Sequence, residues 1–426
     1  MRAVLFINQR WHCAAAIRLV FAIAWISCTV VATANDAAWI FNGNGNWNEP
    51  VKWSNGVPND DSLSVTIDDG DSATTVTLNE SVNIGNLLVG ANDSLRIVSN
   101  SNVAAALSVA QSVSNDGTVS LSSGFPGDAA NLSIVQGAFA NNATGVLHFQ
   151  IGSNVRNFSG DLSNDGIVYV DSPFTTFDKF DGHYVNRGEF TVFYTGGIAI
   201  NDGIFNQNAG ILDVDGQLTF GNMSGISNGG VFQQMGGTTI VTGLFTSSNT
   251  AQFLGGQLLG SGVIAAPVEV VGAMVEPGEG VGTLTISHNY IQQSGGTLIV
   301  ELGGPNAGEY DVLNVAGSSS FPNPPGTATL GGTLDVRLVD IGAGEFSPAL
   351  GQSFAVLAAA SGIIGTFDNH QLPSLDGGLD WRVDYHDNRV SLMVVPEVSS
   401  LGLFLAGIML LGRARPRRTV GNSRGH

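Results

Sequence analysis

The sequence predicts an all-β fold: a right-handed parallel β-helix, or β-solenoid, with a C-terminal β-rich cap and a single C-terminal transmembrane helix. Two recurring turn phrases predict the coils, and no amphipathic helical pattern interrupts residues 35–395. The chain has 426 residues, with 57 glycines, 43% hydrophobic residues and only 12% charged residues. This length and composition suffice for one large or two medium domains with apolar cores.

Residues 35–264 carry the repeats that define the predicted solenoid. Five Asn-x-Gly triplets begin at positions 115, 164, 186, 201 and 228, and each precedes a short strand-like stretch such as "TVSL" or "IVYV". Asn and Gly tolerate positive φ, so each triplet is expected to turn the chain into a strand. The imperfect spacing suits coils of varying length that stack Asn and Gly at equivalent corners. A β-sandwich would explain the strands but not the recurring triplets.

A second phrase combines an aromatic residue, a Gln or Asn pair, a glycine and a strand. It occurs as "FNQNAGILDV" at 205–214, "FQQMGGTTIV" at 232–241 and "YIQQSGGTLIV" at 290–300. Alternating apolar and polar positions within these stretches predict strands with one buried face. The phrase therefore indicates further coils of the same solenoid.

Residues 1–34 have the anatomy of a secretory signal peptide. Three arginines precede an apolar run at residues 19–31, and the small residues Ala32 and Ala34 follow as the expected cleavage site. Both cysteines, Cys13 and Cys28, lie inside this segment. Cleavage after Ala34 would leave a mature chain without thiols or disulfides. A lipoprotein site at Cys28 is the alternative, although the preceding Trp25 suits it poorly.

The segment between residues 35 and 396 is strongly acidic. It contains 8 lysines and arginines against 34 aspartates and glutamates, a net charge of −26. Such a charge repels nucleic acid and anionic lipid, so no nucleic-acid partner is expected. Excess acid also keeps an exported protein soluble.

The C-terminus combines an apolar stretch with clustered basic residues. Residues 398–412 carry no charge, Glu397 precedes them, and the arginines that follow are Arg413, Arg415, Arg417 and Arg418. Arginines hold the adjoining end of an apolar helix in the cytoplasm, so a stop-transfer anchor and a short cytoplasmic tail at 419–426 are expected. A buried C-terminal helix is the alternative, but it leaves the basic cluster unexplained.

Residues 396–418, together with Val395, resemble the PEP-CTERM sorting signal of Gram-negative bacteria. The resemblance rests on Val395-Pro396-Glu397, the apolar stretch and the Arg-rich end; Val398 replaces the second proline of the usual motif. It implies recognition by an exosortase after passage through the secretion machinery. The precursor would then be anchored in the inner membrane, and the mature protein would reach the cell surface or an extracellular matrix containing exopolysaccharide.

Three closely spaced tryptophans, Trp39, Trp47 and Trp53, open the mature chain. They suit either a glycan-stacking platform or the apolar plug of a first coil, and the plug is favoured because a solenoid end must be capped. The surrounding Gly-Asn-Trp, Trp-Ser and Gly-Val-Pro-Asn pattern is similar to the first coil of autotransporter-like, pectin-lyase-like β-helical passengers. Residues 265–395 also resemble the terminal region of such passengers, which implies final coils closing into a β-rich cap.

The sequence offers no constellation typical of an enzyme. Lysines occur only at positions 52 and 179, so a lyase base beside acids is scarcely available. The acidic groups at 68–71 and at Asp384, His386 and Asp387 are interpreted as a turn and a late hairpin. A solvated loop is favoured for Asp178, Asp181 and His183, and a cation site or an acid/base pair is the alternative there.

No catalytic residue, metal site or cofactor is therefore predicted. The histidines are scattered, and the glycine–aspartate nonapeptide of calcium-binding β-rolls is missing from the sequence. We expect a structural or adhesive surface protein associated with exopolysaccharide. The alternative is a carbohydrate-active β-helix enzyme, either a polysaccharide lyase or a hydrolase.

Overall fold

The computed structural model describes residues 36–397, apart from residues 71, 101–102, 124–127, 222–228, 318–325 and 343. Several sequence-based expectations fall outside these residues. They are the cleavage site at Ala32 and Ala34, the apolar stretch 398–412, and the role of Arg413, Arg415, Arg417 and Arg418 beside an anchor. No helix within the described part is both long and apolar enough to span a bilayer.

The described part of the chain is all-β, and parallel strands stack coil upon coil as in a β-solenoid. Its only described helical element is a single 3₁₀ turn, Pro50–Lys52. One strand of every coil belongs to a continuous sheet, which we call face C. Its strands are β2 (Gly45–Asn46), β4 (Thr75–Leu78), β6 (Ser94–Ser99), β8 (Thr118–Ser123), β10 (Val146–Phe149), β12 (Ile167–Val170), β15 (Glu189–Val192), β18 (Ile211–Val214), β21 (Thr238–Val241), β24 (Gln257–Gly260), β27 (Met274–Pro277), β30 (Thr297–Leu302), β33 (Thr333–Leu338) and β36 (Asn369–Gln371).

The rest of the early coils is formed by single strands, most of them long. They are β1 (Ala37–Ala38), β3 (Asp60–Ile67), β5 (Ser81–Val89), β7 (Ala105–Asn115), β9 (Ala130–Asn141) and β11 (Arg156–Asn164). Register shifts interrupt the pairing of β3, β5, β7, β9 and β11 midway along their length. Because a bulge bends a strand, each long strand turns a corner of the coil without a loop.

After β11 the two arms of the bent strand become separate faces. The first arm of β11 pairs with β13 and the second arm pairs with β14, which begin faces A and B. Face A continues through β13 (Thr175–Phe177), β16 (Gly197–Ile200), β19 (Gln217–Phe220), β22 (Leu244–Ser247), β25 (Val263–Ala265), β28 (Thr283–Ile286), β31 (Val312–Val315) and β34 (Ser353–Ala359). Face B continues through β14 (His183–Asn186), β17 (Ile204–Gln207), β20 (Val231–Gln234), β23 (Ala251–Phe253), β26 (Val268–Val270), β29 (Tyr290–Gln292), β32 (Ala328–Leu330) and β35 (Ile363–Gly365).

The last two strands, β37 (Leu379–His386) and β38 (Arg389–Pro396), form an antiparallel hairpin. Strand β38 also pairs antiparallel with β34 on face A. The hairpin thus covers one edge of the solenoid, where an open strand would otherwise invite edge-to-edge association.

A buried polar ladder runs along the corner between faces B and C. The side-chain amide of Asn115 donates to Asn141 at 2.7 Å, Asn141 to Asn164 at 2.7 Å, Asn164 to Asn186 at 2.6 Å, and Asn186 to Gln207 at 2.8 Å. All five side chains are at most 1% exposed. From Asn141 onward each amide both accepts and donates, so stacking in register satisfies these buried groups, whereas the Oδ1 of Asn115 at the start of the ladder has no hydrogen-bond partner.

Glycines stand beside this ladder in consecutive coils. A Cβ added to any of them would lie between 2.0 and 2.6 Å from a backbone carbonyl oxygen of the preceding coil, so close approach excludes side chains here. The positions are Gly117, Gly145, Gly166, Gly188, Gly210, Gly237 and Gly256.

The expected stacking of Asn and Gly is thus found at this corner. The triplet glycines are expected from the sequence to provide positive φ, whereas the structure shows that most of them are needed because neighbouring coils approach closely. Of the glycines in the five triplets, only Gly203 has positive φ, at 88°. Its triplet begins at Asn201 and lies at the corner between faces A and B, because it directly follows β16 and precedes β17. The triplets therefore occupy two different corners of the coil.

The solenoid interior is filled by apolar side chains that alternate with outward polar ones. Strand β4 illustrates this pattern, with Val76 and Leu78 buried and Thr75 and Thr77 half-buried. Phenylalanines stack along the middle coils, with ring centroids 4.9–6.2 Å apart. Such contacts stabilise neighbouring coils beyond their burial alone.

Candidate functional site

Face C presents a row of outward side chains. Each coil contributes one member, which lies three residues after the corner glycine of that coil. In four successive coils the row consists of His148, Tyr169, Thr191 and Asp213, which are direct partners across the parallel strands. Neighbouring strands in a sheet lie about 4.8 Å apart, so these side chains form one surface, in which Thr191 is only 7% exposed and the other three are half-buried. We call this surface the outer strip; its members are His148, Tyr169, Asp171, Glu189, Thr191, Phe193 and Asp213.

Three rings lie side by side on the outer strip. The ring centroids of His148 and Tyr169 are 5.9 Å apart, and those of Tyr169 and Phe193 are 5.3 Å apart. All three residues are half-buried. The β-sheet backbone holds them in fixed register, so the rings need little ordering to receive a ligand.

Polar contacts link these rings to neighbouring carboxylates. His148 Nε2 and Asp171 Oδ2 are 2.6 Å apart. Thr191 Oγ1 donates to Glu189 Oε1 at 3.2 Å. Burial raises the pKa of the Tyr169 hydroxyl, and the Glu189 carboxylate raises it further. The tyrosine hydroxyl and Glu189 therefore face the same part of the strip.

Asp213 ends the strip with an unusual carboxyl group. Burial is the main cause that raises its pKa to about 6, and the negative charges of Asp215, Glu279 and Glu189 add to the effect. A carboxyl group with such a pKa can take up and release a proton near neutral pH.

Rings beside carboxylates and hydroxyls match the chemistry of a sugar polymer. Aromatic rings pack on the apolar faces of pyranose rings, while carboxylates and hydroxyls accept or donate hydrogen bonds to sugar hydroxyls. Within the described residues, no group of three His, Cys, Asp or Glu side chains is arranged to hold a metal ion.

A groove of about 450 Å³ lies on another part of the surface, along the bends of β3, β5, β7 and β9. Its lining includes Asn59, Asp60, Asp61, Asn83 and Gln136, and no aromatic ring contributes to it. The outer strip, which combines rings with carboxylates, is therefore the stronger candidate for ligand contact.

The three tryptophans pack together inside the first coil. Trp39, Trp47 and Trp53 are each at most 2% exposed, and Trp53 contacts Trp39 and Trp47 at centroid distances of 5.0 and 4.8 Å. Their indole N–H groups donate to the carbonyls of Gly43, Trp47 and Pro58. A sugar could not stack on these rings without unpacking the coil.

The beginning of the segment that resembles a sorting motif lies at the end of the β37–β38 hairpin. Val395 and Pro396 close β38, paired with Asp380 and Leu379 of β37. Glu397 follows, and its backbone N–H donates to the Gly378 carbonyl at 2.8 Å. Val395 is half-buried, whereas Pro396 and Glu397 are exposed.

The acidic groups singled out in the sequence lie in turns and a hairpin. Asp178 and Asp181 flank the corner loop between β13 and β14, and His183 begins β14. Lys179 of this loop pairs with Asp161 of the preceding coil, with 2.8 Å between Nζ and Oδ2.

In the cap hairpin, Asp384 pairs with Arg382 at 2.8 Å. His386 ends β37, and Asp387 lies in the hairpin turn that follows. This arrangement agrees with the interpretation of these residues as a late hairpin.

Sequence reasoning missed the outer strip because its members share no residue type. Their common feature is position: His148, Tyr169, Thr191 and Asp213 each lie three residues after a corner glycine. Aligning the chain on those glycines would have placed the four residues in one column.

No protein-family model matches this chain, and no curated protein matches it. Its function is therefore argued from its own residues.

Proposed function

We propose that the chain is an exported, non-catalytic β-solenoid of the cell surface or extracellular matrix that binds exopolysaccharide through the outer strip. The coils are proposed to be right-handed, because parallel crossover connections are right-handed in nearly all proteins. The outer strip carries the proposal: three adjoining rings and three carboxylates on one rigid sheet.

Export and sorting are supported by the two ends of the sequence. Residues 1–34 have the features of a secretory signal, and residues 395–418 resemble a PEP-CTERM signal. We propose that an exosortase recognises this tail, that the apolar stretch 398–412 holds the precursor in the inner membrane as a helix, and that the solenoid works outside the cell.

The acidic surface narrows the class of ligand. Between residues 35 and 396 the net charge is −26, so a polyanionic glycan is repelled over the whole molecule. A neutral polysaccharide, held by ring stacking and hydrogen bonds, suits the outer strip better.

The test is binding of the purified full-length chain to soluble polysaccharides, measured by affinity electrophoresis with a neutral glucan and with the acidic polymer alginate. Tyr169→Ala and Phe193→Ala should each weaken binding to the neutral polymer about tenfold, as expected for the loss of one stacking contact worth roughly 1.4 kcal/mol. Phe180→Ala is the matched control, because Phe180 is an aromatic residue 81% exposed at a different corner.

Equal loss of affinity in the Phe180 variant, or unchanged affinity in both strip variants, would contradict a binding role for the strip. Binding to alginate alone would contradict the preference for a neutral glycan.

A hydrolase is the second candidate, and the raised pKa of Asp213 beside Glu189 favours it. Glycosidases pair a protonated carboxyl group, which acts as the acid, with an ionised carboxylate. If the strip is catalytic, the wild-type chain will release reducing ends from a polysaccharide it binds, and Asp213→Asn will abolish the release. Binding without release supports the non-catalytic role.

A further inference from the structure

Three carboxylates meet at the corner between the second and third coils. Asp68 and Asp69 directly follow β3, and Asp93 directly precedes β6. Asp93 is only 1% exposed, and its Oδ1 accepts a hydrogen bond from the Thr74 backbone N–H at 3.0 Å. Thr74 also donates its hydroxyl to Asp69 Oδ2 at 2.5 Å, which links the two acids.

Two carboxylate oxygens at this corner have no hydrogen-bond partner. They are Asp93 Oδ2 and Asp69 Oδ1, and both atoms are buried from solvent. No described ion pair involves Asp68, Asp69 or Asp93. A buried carboxylate oxygen without a donor or counter-ion is costly, so this corner is short of positive charge.

Gly90 lies directly against these carboxyl groups. A Cβ placed on Gly90 would lie 3.0 Å from Asp93 Oδ2 and 2.8 Å from the carboxyl carbon of Asp68. The absence of a side chain at Gly90 therefore lets both carboxyl groups pack against the backbone of this corner. Burial, followed by the charges of Asp69 and Asp68, raises the pKa of Asp93, as expected of acids crowded together without a cation.

We propose that Asp68, Asp69 and Asp93 bind a calcium ion at this corner, where two buried carboxylate oxygens have no hydrogen-bond partner. Calcium takes six to eight oxygen ligands in flexible geometry and often keeps water molecules among them. The unpartnered oxygens of Asp69 and Asp93 supply the first ligands. Asp68 is exposed, and its Oδ1 accepts a hydrogen bond from the Gly70 N–H. Its side chain would have to turn toward the ion on binding, because no three such side chains in the described part are arranged to hold a metal ion.

The ion would join the turn after β3 to the turn before β6, so its binding would stabilise the first coils of the solenoid. Extracellular modules bind calcium with dissociation constants of roughly 0.1–1 mM. An exported protein with such a site would be fully folded only where calcium is present at about that concentration.

The experiment compares thermal unfolding of the full-length chain, first freed of metal with a chelator, with and without about 5 mM calcium chloride. The wild type should unfold about 1–3 °C higher with calcium, and terbium luminescence should report the bound ion directly. Asp93→Asn should lose both the shift and the luminescence.

Asp93→Asn also distinguishes loss of calcium binding from loss of stability. The asparagine Oδ1 can still accept the hydrogen bond from the Thr74 N–H, and the substitution removes the buried charge. In calcium-free buffer the variant should therefore unfold at or above the wild-type temperature. Asp178→Asn, an exposed aspartate at another corner, is the matched control and should keep the full calcium response.

Magnesium chloride at the same concentration should give a smaller shift, because Mg²⁺ demands stricter octahedral geometry and loses water reluctantly. A wild type that neither shifts with calcium nor binds terbium overturns the proposal. A calcium shift that survives in both Asp93→Asn and Asp69→Asn also overturns it.

Discussion

Asn164 is the central member of the amide ladder, and replacing it by alanine should destabilise the solenoid strongly. Its side-chain amide donates to Asn186 Oδ1 at 2.6 Å and to the Glu189 carbonyl at 2.9 Å, and it accepts from Asn141 at 2.7 Å. The side chain is fully buried. Truncation leaves the Asn186 oxygen without this donor and opens a cavity that is closed to bulk water.

The expected magnitude follows from these contacts. Each buried polar group left without its partner costs about 1–3 kcal/mol. The Asn141 amide keeps two other acceptors, the carbonyls of Gly145 and Ile167. The groups left without a hydrogen-bond donor are therefore mainly Asn186 Oδ1 and the Glu189 carbonyl. We expect Asn164→Ala to lower the free energy of unfolding by about 3–5 kcal/mol.

The assay is urea unfolding monitored by circular dichroism. Amide hydrogen exchange should then show that protection decreases in the coils next to Asn164. Asn142→Ala is the matched control: Asn142 lies at the same corner but faces outward, where it bonds Ser114 and Asp116. Its loss should cost at most about 1 kcal/mol. Equal destabilisation by the two substitutions would refute the argument that the ladder stabilises the stack.

Three further outcomes are expected. Gly188→Ala should destabilise by about 2–4 kcal/mol in urea unfolding, because its Cβ would lie 2.1 Å from the Gly166 oxygen; a neutral effect would contradict the close approach of the coils. Trp47→Ala should cost about 3–5 kcal/mol and expose the first coil to limited proteolysis, and unchanged proteolysis would argue against the plug. The raised pKa of Asp213, from 3.8 to about 6, favours the folded state below pH about 4. This stabilising contribution of Asp213 is lost as the pH rises through about 6. The free energy of unfolding of Asp213→Asn should therefore vary less with pH between about 4 and about 6 than that of the wild type. The same pH dependence in both proteins would show that Asp213 titrates normally.

The sequence predicts the all-β class and the parallel stacking because turn residues and the alternation of apolar and polar residues can be recognised within short segments of the chain. Asn115, Asn164 and Asn186 each precede a glycine by two residues, which marks their corner in the sequence. Asn141 has the same place in the structure but is followed by two extra residues before Gly145. Its role therefore emerges only from strand register.

The candidate sites are less visible in the sequence because they form across coils. Tyr169 and Phe193 are 24 positions apart in the chain, yet their rings are 5.3 Å apart. Asp93 likewise meets Asp69 only because the third coil closes on the second. Such meetings depend on coil length, which varies with each loop.

The most direct test of the central claim, an exported and tail-sorted surface solenoid, is mass spectrometry of the terminal peptides of the protein recovered separately from membranes and from the extracellular matrix. We predict that the matrix form begins at Asn35 and lacks everything beyond the Pro396-Glu397 region, with the β37–β38 hairpin retained. A full-length tail found only in a membrane-bound form, with no matrix form, would contradict the claim and make the apolar stretch a plain anchor.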